Sequence, residues 1–136
     1  MSTAAKNILI VGGGTGGHIS PGIALCEYCK ANGIGAYLLV GTVDAKFNYL
    51  KEVDEEHRLF YSAPPFTKNP FKLPFFLLRF MLAARNAKRI MKRKKIDIVI
   101  GMGGYVSAPA LWAAYSMKKP VWLCEQNTVP GKVTML

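Results

Sequence analysis

The sequence predicts an α/β fold: an open, mostly parallel sheet with helices on both faces. Three observations carry that expectation. Short uninterrupted apolar runs (Ile8–Val11, Tyr37–Val40, Ile98–Ile100) read as strands buried on both sides. Stretches with helical spacing lie between them, joined by short turns, so that strand and helix alternate along the chain. Glycine clusters follow two of the strands, at Gly12–Gly17 and Gly101–Gly104, beyond the carboxyl ends where such sheets bind ligands. With 136 residues, 51% of them hydrophobic, residues 1–136 form one domain that needs neither disulfide nor metal to build a core.

Asn7–Val11 is the first strand. Ser20 and Pro21 supply an N-cap and a first helical position, and the helix they open runs to about Asn32, where Gly33 stops it. Ala36–Val40 is the second strand, closed by Gly41-Thr42. Asp44–Val53 reads as a helix with Phe47 and Leu50 inward, and Arg58–Tyr61 as a short third strand. The prolines of Pro64–Pro70 exclude regular structure there. A long helix follows from about Pro74 to Lys95, then a fourth strand, Ile96–Ile100. Ser107 and Pro109 open a helix to about Met117, Val121–Cys124 is the fifth strand, and Val129–Leu136 begins a further helix.

Three loops leave the carboxyl ends of strands with polar or glycine-rich chemistry, Gly12–His18, Gly101–Ser107 and Glu125–Asn127, and this topology directs them to one crevice. A glycine turn running from a strand into a helix presents backbone N–H groups and the positive end of a helix dipole to a phosphate. Gly12-x-Gly14-x-x-Gly17 fits the dinucleotide fingerprint, but the second strand does not end on the acid that would hold a ribose; Asp44 lies beyond it. A Walker loop needs Gly-Lys-Ser/Thr where Gly17-His18-Ile19 stands. His18 is a general base, a charged phosphate ligand or a helix-start residue. Tyr105 either packs or holds its phenol over the crevice. Glu125 follows an apolar strand and faces a ligand or caps the loop.

The net charge of +10 comes from one segment: ten Lys and Arg residues and no acid lie between Pro64 and Lys95, against eight of each sign elsewhere. Within it Phe76, Phe80, Ala83, Ala84, Ala87, Ile90 and Met91 share a core stripe, while Phe75, Leu78 and Leu82 continue into Arg85, Arg89 and Arg93 on the other side. Apolar residues merging into arginines suit contact with an anionic membrane surface, to which Phe66, Phe71 and Leu73 add. A protein interface ranks second. Nucleic acid ranks last and is not expected as a partner, since the aromatics are phenylalanines beside leucines without a binding module. No apolar run approaches the length of a membrane span, and Met1–Lys6 is too short and polar for a secretory signal. Three cysteines indicate a reducing compartment, with Cys26 and Cys29 packed in the core rather than serving redox or zinc chemistry.

Gly13-Gly14-Thr15-Gly16-Gly17-His18, Gly103-Gly104-Tyr105-Val106-Ser107 and Glu125-Gln126-Asn127 with Pro130-Gly131 resemble, in order and spacing, three motifs of the MurG-type glycosyltransferases. The resemblance covers essentially the whole chain. It implies the N-terminal Rossmann-like half of a GT-B enzyme that transfers N-acetylglucosamine from UDP-N-acetylglucosamine to undecaprenyl-diphospho-muramoyl pentapeptide (lipid I), making lipid II for peptidoglycan. By that resemblance this half takes the lipid-linked acceptor, with Gly14, Thr15, Gly16, Gly17, Gly103, Gly104, Tyr105, Ser107, Gln126 and Asn127 lining its diphosphate side. His18 is then the first choice for the base that takes the acceptor's hydroxyl proton and Glu125 the second, with inversion at the sugar and no metal or other cofactor. The nucleotide sugar belongs to a C-terminal domain beyond this segment, so the segment alone is expected to be inactive. The implied location is peripheral, on the cytoplasmic face of the plasma membrane. Two positions depart from the family pattern: Cys124 stands where a His is usual, and Phe47 near a common glutamate. The alternative is a non-catalytic membrane-binding subunit that recruits a separate transferase chain.

Overall fold

Strand residues point alternately to the two faces of a sheet, and here both faces are covered. Leu9 and Val11 join one buried cluster and Ile10 the other; Leu39 is separated in the same way from Leu38 and Val40. The computed structural model describes residues 6–13, 16–46 and 48–124, without the side chains of 16–18 and 48–49. Its elements are β1 (Asn7–Val11), α1 (Gly16–Ala31), β2 (Gly35–Gly41), β3 (Arg58–Tyr61), α2 (Leu73–Arg93), β4 (Ile98–Gly101), α3 (Ser107–Ser116) and β5 (Val121–Leu123). All strand pairs are parallel, in the order β3-β2-β1-β4-β5. The chain therefore winds outward from β1 to β3, then crosses to β4 on the other side of β1. The switch point of the topology falls between β1 and β4, whose carboxyl ends carry the two glycine loops.

Helix α1 covers one face through Ile19, Ile23, Cys26 and Cys29. On the other face α2 and α3 pack side by side through Ala83, Ala84 and Ala87 against Ala110, Ala113 and Ala114, small residues that let the helices approach closely. The core stripe expected on α2 is present, with Phe76, Phe80 and Ile90 half-buried and the rest buried. Cys26 and Cys29 are buried free thiols, as expected; burial pushes Cys26 up to about 12 and Cys29 upward too.

Most bounds fall within a residue or so of the sequence expectation; four differences are informative. Helix α1 starts at Gly16 rather than after Ser20, so Pro21 lies inside it; Ile19, fully buried, shows packing overriding weak glycine propensity. The stretch expected as one helix over Asp44–Val53 is two 3₁₀ segments, Thr42–Lys46 and Asn48–Glu52; the first is opened by the Asp44 carboxylate, which accepts the Gly41 N–H (3.1 Å) just ahead of it. Helix α2 ends at Arg93, short of Lys95: the Ile96 N–H reaches the Met91 carbonyl (2.9 Å) across Lys95 in the left-handed region, φ 53°. A lysine there gives no glycine signal to read. Strand β4 begins at Ile98 in consequence.

Candidate functional site

The site starts from two turns that only glycine makes without strain. Gly13 has φ 149°, and a Cβ on it would stand 2.3 Å from Asp44 Oδ2 and 3.3 Å from Val106 Cβ. Gly103 and Gly104 have φ of 94° and 82°, turning the chain from β4 back into α3. The loops meet at their bases: Val106, fully buried in the second, lies against Gly13 and Gly41, whose added Cβ would come within 3.0 Å of Val106 Cγ2. The first two of the three predicted loops thus converge. The third begins beside them, since the Cys124 N–H bonds to the Gly101 carbonyl (2.8 Å). Cys124 is exposed.

Gly16 and Gly17 open α1 and His18 is its third residue, so the first loop feeds directly into a helix N-terminus. Gly14, Thr15 and Phe47, the side chain of His18, and Glu125, Gln126 and Asn127 lie outside the described residues. Tyr105 is half-buried and packs on the core cluster of α2 and α3. Ser107 is fully buried and its hydroxyl donates to the Gly104 carbonyl (2.8 Å); it braces the loop.

The donors at the start of α3 are largely spoken for. Ser107 N–H bonds to Gly104 O (3.2 Å), Ala108 N–H to Tyr105 O (3.3 Å), Pro109 has no N–H, and Ala110 N–H bonds to the Tyr61 hydroxyl (3.3 Å). Among the described residues no hydrogen bond engages the amides of 103–106, so any anion held here meets the turn itself rather than the first turn of the helix. Asp44, the acid beyond β2, is buried and bonded to its own strand end, which takes it out of use as a ribose ligand. Sequence reasoning passed over Asp44, Tyr61 and Val106 as site residues; their part depends on contacts between loops.

Helix α2 presents the expected outward face. Phe75 (70% exposed), Leu78 and Leu82 lie open with Arg85 and Arg89, joined by Leu77 and Met81, which the helical spacing does not single out. None of the ten cations of this segment pairs with a carboxylate among the described residues. A row of rings, Phe66–Phe76–Phe80–Trp112 with centroids 5.7, 5.9 and 6.5 Å apart, carries the surface onto α3, and Lys88 Nζ sits 5.2 Å over Trp112. No helix among the described residues is long and apolar enough to cross a membrane, and no three metal-ligating side chains cluster. A cavity of about 270 Å³ between Cys26, Gly35, Val53 and the Lys30–Asp54 ion pair opens at the amino end of β2, the wrong end of the sheet for this site.

Residues 8–136 match the glycosyltransferase family 28 N-terminal domain. A UDP-N-acetylglucosamine–N-acetylmuramyl-(pentapeptide) pyrophosphoryl-undecaprenol N-acetylglucosamine transferase of Leptospira interrogans is 38% identical over 135 residues, 96% of this chain and 37% of its own. Its namesake in Colwellia psychrerythraea is 40% identical over 131 residues, 93% of this chain and 33% of its own. The crystal structure of Acinetobacter baumannii MurG superposes with a TM-score of 0.77 at 29% identity, over 96% of this chain and 38% of that one. The chain spans about a third of the length of these relatives.

Proposed function

The chain belongs to the glycosyltransferase family 28 N-terminal domain family, and from that premise we propose that it is the acceptor-binding, membrane-associating part of an N-acetylglucosaminyltransferase. The reaction is transfer of N-acetylglucosamine from UDP-N-acetylglucosamine to undecaprenyl-diphospho-muramoyl pentapeptide, making lipid II for peptidoglycan. One observation carries the reading: two glycine loops meet at the switch point of a chain 38% identical, over 96% of its length, to a relative named for that reaction.

The acceptor's diphosphate is assigned to the amides of Gly103, Gly104 and Tyr105 and to the first loop with the N-terminus of α1, where dipole and N–H groups favour negative charge. The acceptor hydroxyl attacks C1 of the sugar as the C1–O bond to UDP breaks, inverting that carbon. Its proton passes to His18 as general base, with Glu125 the second choice. The outward face of α2 lies on the anionic cytoplasmic surface of the plasma membrane, Phe75, Leu78 and Leu82 among the acyl chains and Arg85 and Arg89 at the headgroups. The nucleotide sugar is bound by the remaining part of the longer enzyme.

Sedimentation with anionic vesicles, with and without lipid I, tests the reading. The chain should be retained by both and more strongly by those carrying lipid I; equal retention removes the acceptor assignment. Incubated alone with UDP-N-acetylglucosamine and lipid I it should form no lipid II.

A further inference from the structure

Beneath the two glycine loops a buried phenol does what neither loop does for itself. Tyr61, the last residue of β3, is 3% exposed. Its hydroxyl donates to the Val106 carbonyl and accepts the Ala110 N–H (3.3 Å). Those two groups are the acceptor and donor of the first i→i−4 pair of α3, so one side chain from another element holds both ends of the helix's opening turn. Val106 is also the residue on which Gly13 and Gly41 rest, which links the phenol to the base of the first loop. Packing does not require the hydroxyl, because phenylalanine fills nearly the same volume. A buried hydroxyl is costly unless it is bonded, and this one is bonded on both sides. Burial raises its pKa and keeps it a donor at neutral pH.

We propose that Tyr61 is a positioning residue for the ligand site: by fixing the Val106 carbonyl and the Ala110 amide it aims the amides of 103–105 at the bound diphosphate. The inference rests on the diphosphate assignment above. Its contribution lies in loop geometry, so Tyr61→Phe should weaken diphosphate binding while leaving fold and membrane contact in place.

Titration calorimetry of the whole chain with farnesyl diphosphate, a soluble isoprenoid diphosphate, tests this beside retention on anionic vesicles and thermal unfolding. Losing the hydroxyl should weaken diphosphate binding by roughly three- to tenfold, with vesicle retention unchanged and the unfolding midpoint within a few degrees. Equal affinities of wild type and Y61F overturn the inference and leave the diphosphate reading standing. Wild-type protein that fails to bind the probe overturns both. If Y61F loses vesicle retention and folded structure together, Tyr61 is a structural residue and the inference falls. Gly104→Ala supplies a second arm, since it disturbs the same turn directly: the two substitutions combined should cost no more than the worse single one, and fully additive losses count against a shared route.

Discussion

Gly13→Ala probes whether the first loop is set by a steric fit or only by glycine's flexibility. At φ 149° an alanine is strained, which costs about 1–3 kcal/mol. Its Cβ would also stand 2.3 Å from Asp44 Oδ2. That oxygen has little freedom to retreat: Asp44 is 1% exposed and accepts the Gly41 N–H at 3.1 Å. Displacing it breaks a buried charge-assisted bond at about 1–3 kcal/mol more. The sum, about 2–6 kcal/mol, is a large part of the roughly 5–15 kcal/mol that holds a domain folded. Gly33→Ala is the control, because at φ 71° nothing lies within 4 Å of its added Cβ; only the left-handed penalty of about 1–2 kcal/mol applies. Urea titration followed by far-UV circular dichroism measures both. Pairing Gly13→Ala with Asp44→Ala removes the obstructing oxygen, so the double variant should lose less than the sum by about 1–2 kcal/mol. Equal destabilisation by the two alanines, or strict additivity with Asp44→Ala, would refute the steric account.

Reversing Arg85 and Arg89 to Glu should cut retention on anionic vesicles at least tenfold, since each basic group near such a surface contributes about 1 kcal/mol before screening; unchanged retention would remove the membrane assignment of α2. Lys95→Gly and Lys118→Gly, at φ 53° and 59°, should each stabilise the fold by about 0.5–1 kcal/mol, with left-handed strain relieved against a looser unfolded chain; a drop in denaturation midpoint for both contradicts this. Alkaline stability should fall in a defined window. The Cys26 thiol is raised from 9.0 to about 12 by burial, then by the Cys29 and Glu27 charges, so the unfolded state releases its proton first. Stability is therefore full below about pH 9 and declines by about 1.4 kcal/mol per unit from that group up to about pH 12, with Tyr61, also raised by burial, adding to the upper part. Cys26→Ala should flatten the lower part of the decline, as urea midpoints from pH 7 to 11 would show.

What could be read from the sequence follows from how local each cause is. β1 and β3 have the bounds expected because an apolar run between turn residues is a local signal. The end of α1 was equally legible: Gly33 at φ 71° accompanies an Ile34 N–H to Cys29 O bond of 2.8 Å. Helices α2 and α3 close the same way over lysines, and there the expected ends ran past the observed ones, by two residues on α2. Asp44 lies three residues from the strand end it bonds, and no local pattern separates a carboxylate that opens a short 3₁₀ turn from one that opens a full helix. The contacts of Tyr61 with Val106 and Ala110 span 45 and 49 residues, and no pattern within a window of the chain reports them.

On the proposed reading, the topology also bears on why a lipid-linked ligand would fit this site better than one taken from solution. Helix α3 starts where the second glycine loop ends, and Trp112 lies five residues beyond Ser107 on the same rigid element. At 1.5 Å per residue that separates the turn from the exposed aromatic by about 7.5 Å along the axis. Trp112 packs against Phe80 of α2, centroids 6.5 Å apart, so on the proposed reading the loop stands near the headgroup plane whenever the outward face of α2 is seated. A diphosphate fixed to an acyl chain lies at that depth without leaving the membrane. Removing the exposed ring by Trp112→Ala should therefore separate the two functions. Vesicle retention through the outward face of α2 should survive, and the added retention given by lipid I should fall; its survival would break the link between membrane seating and the glycine loop.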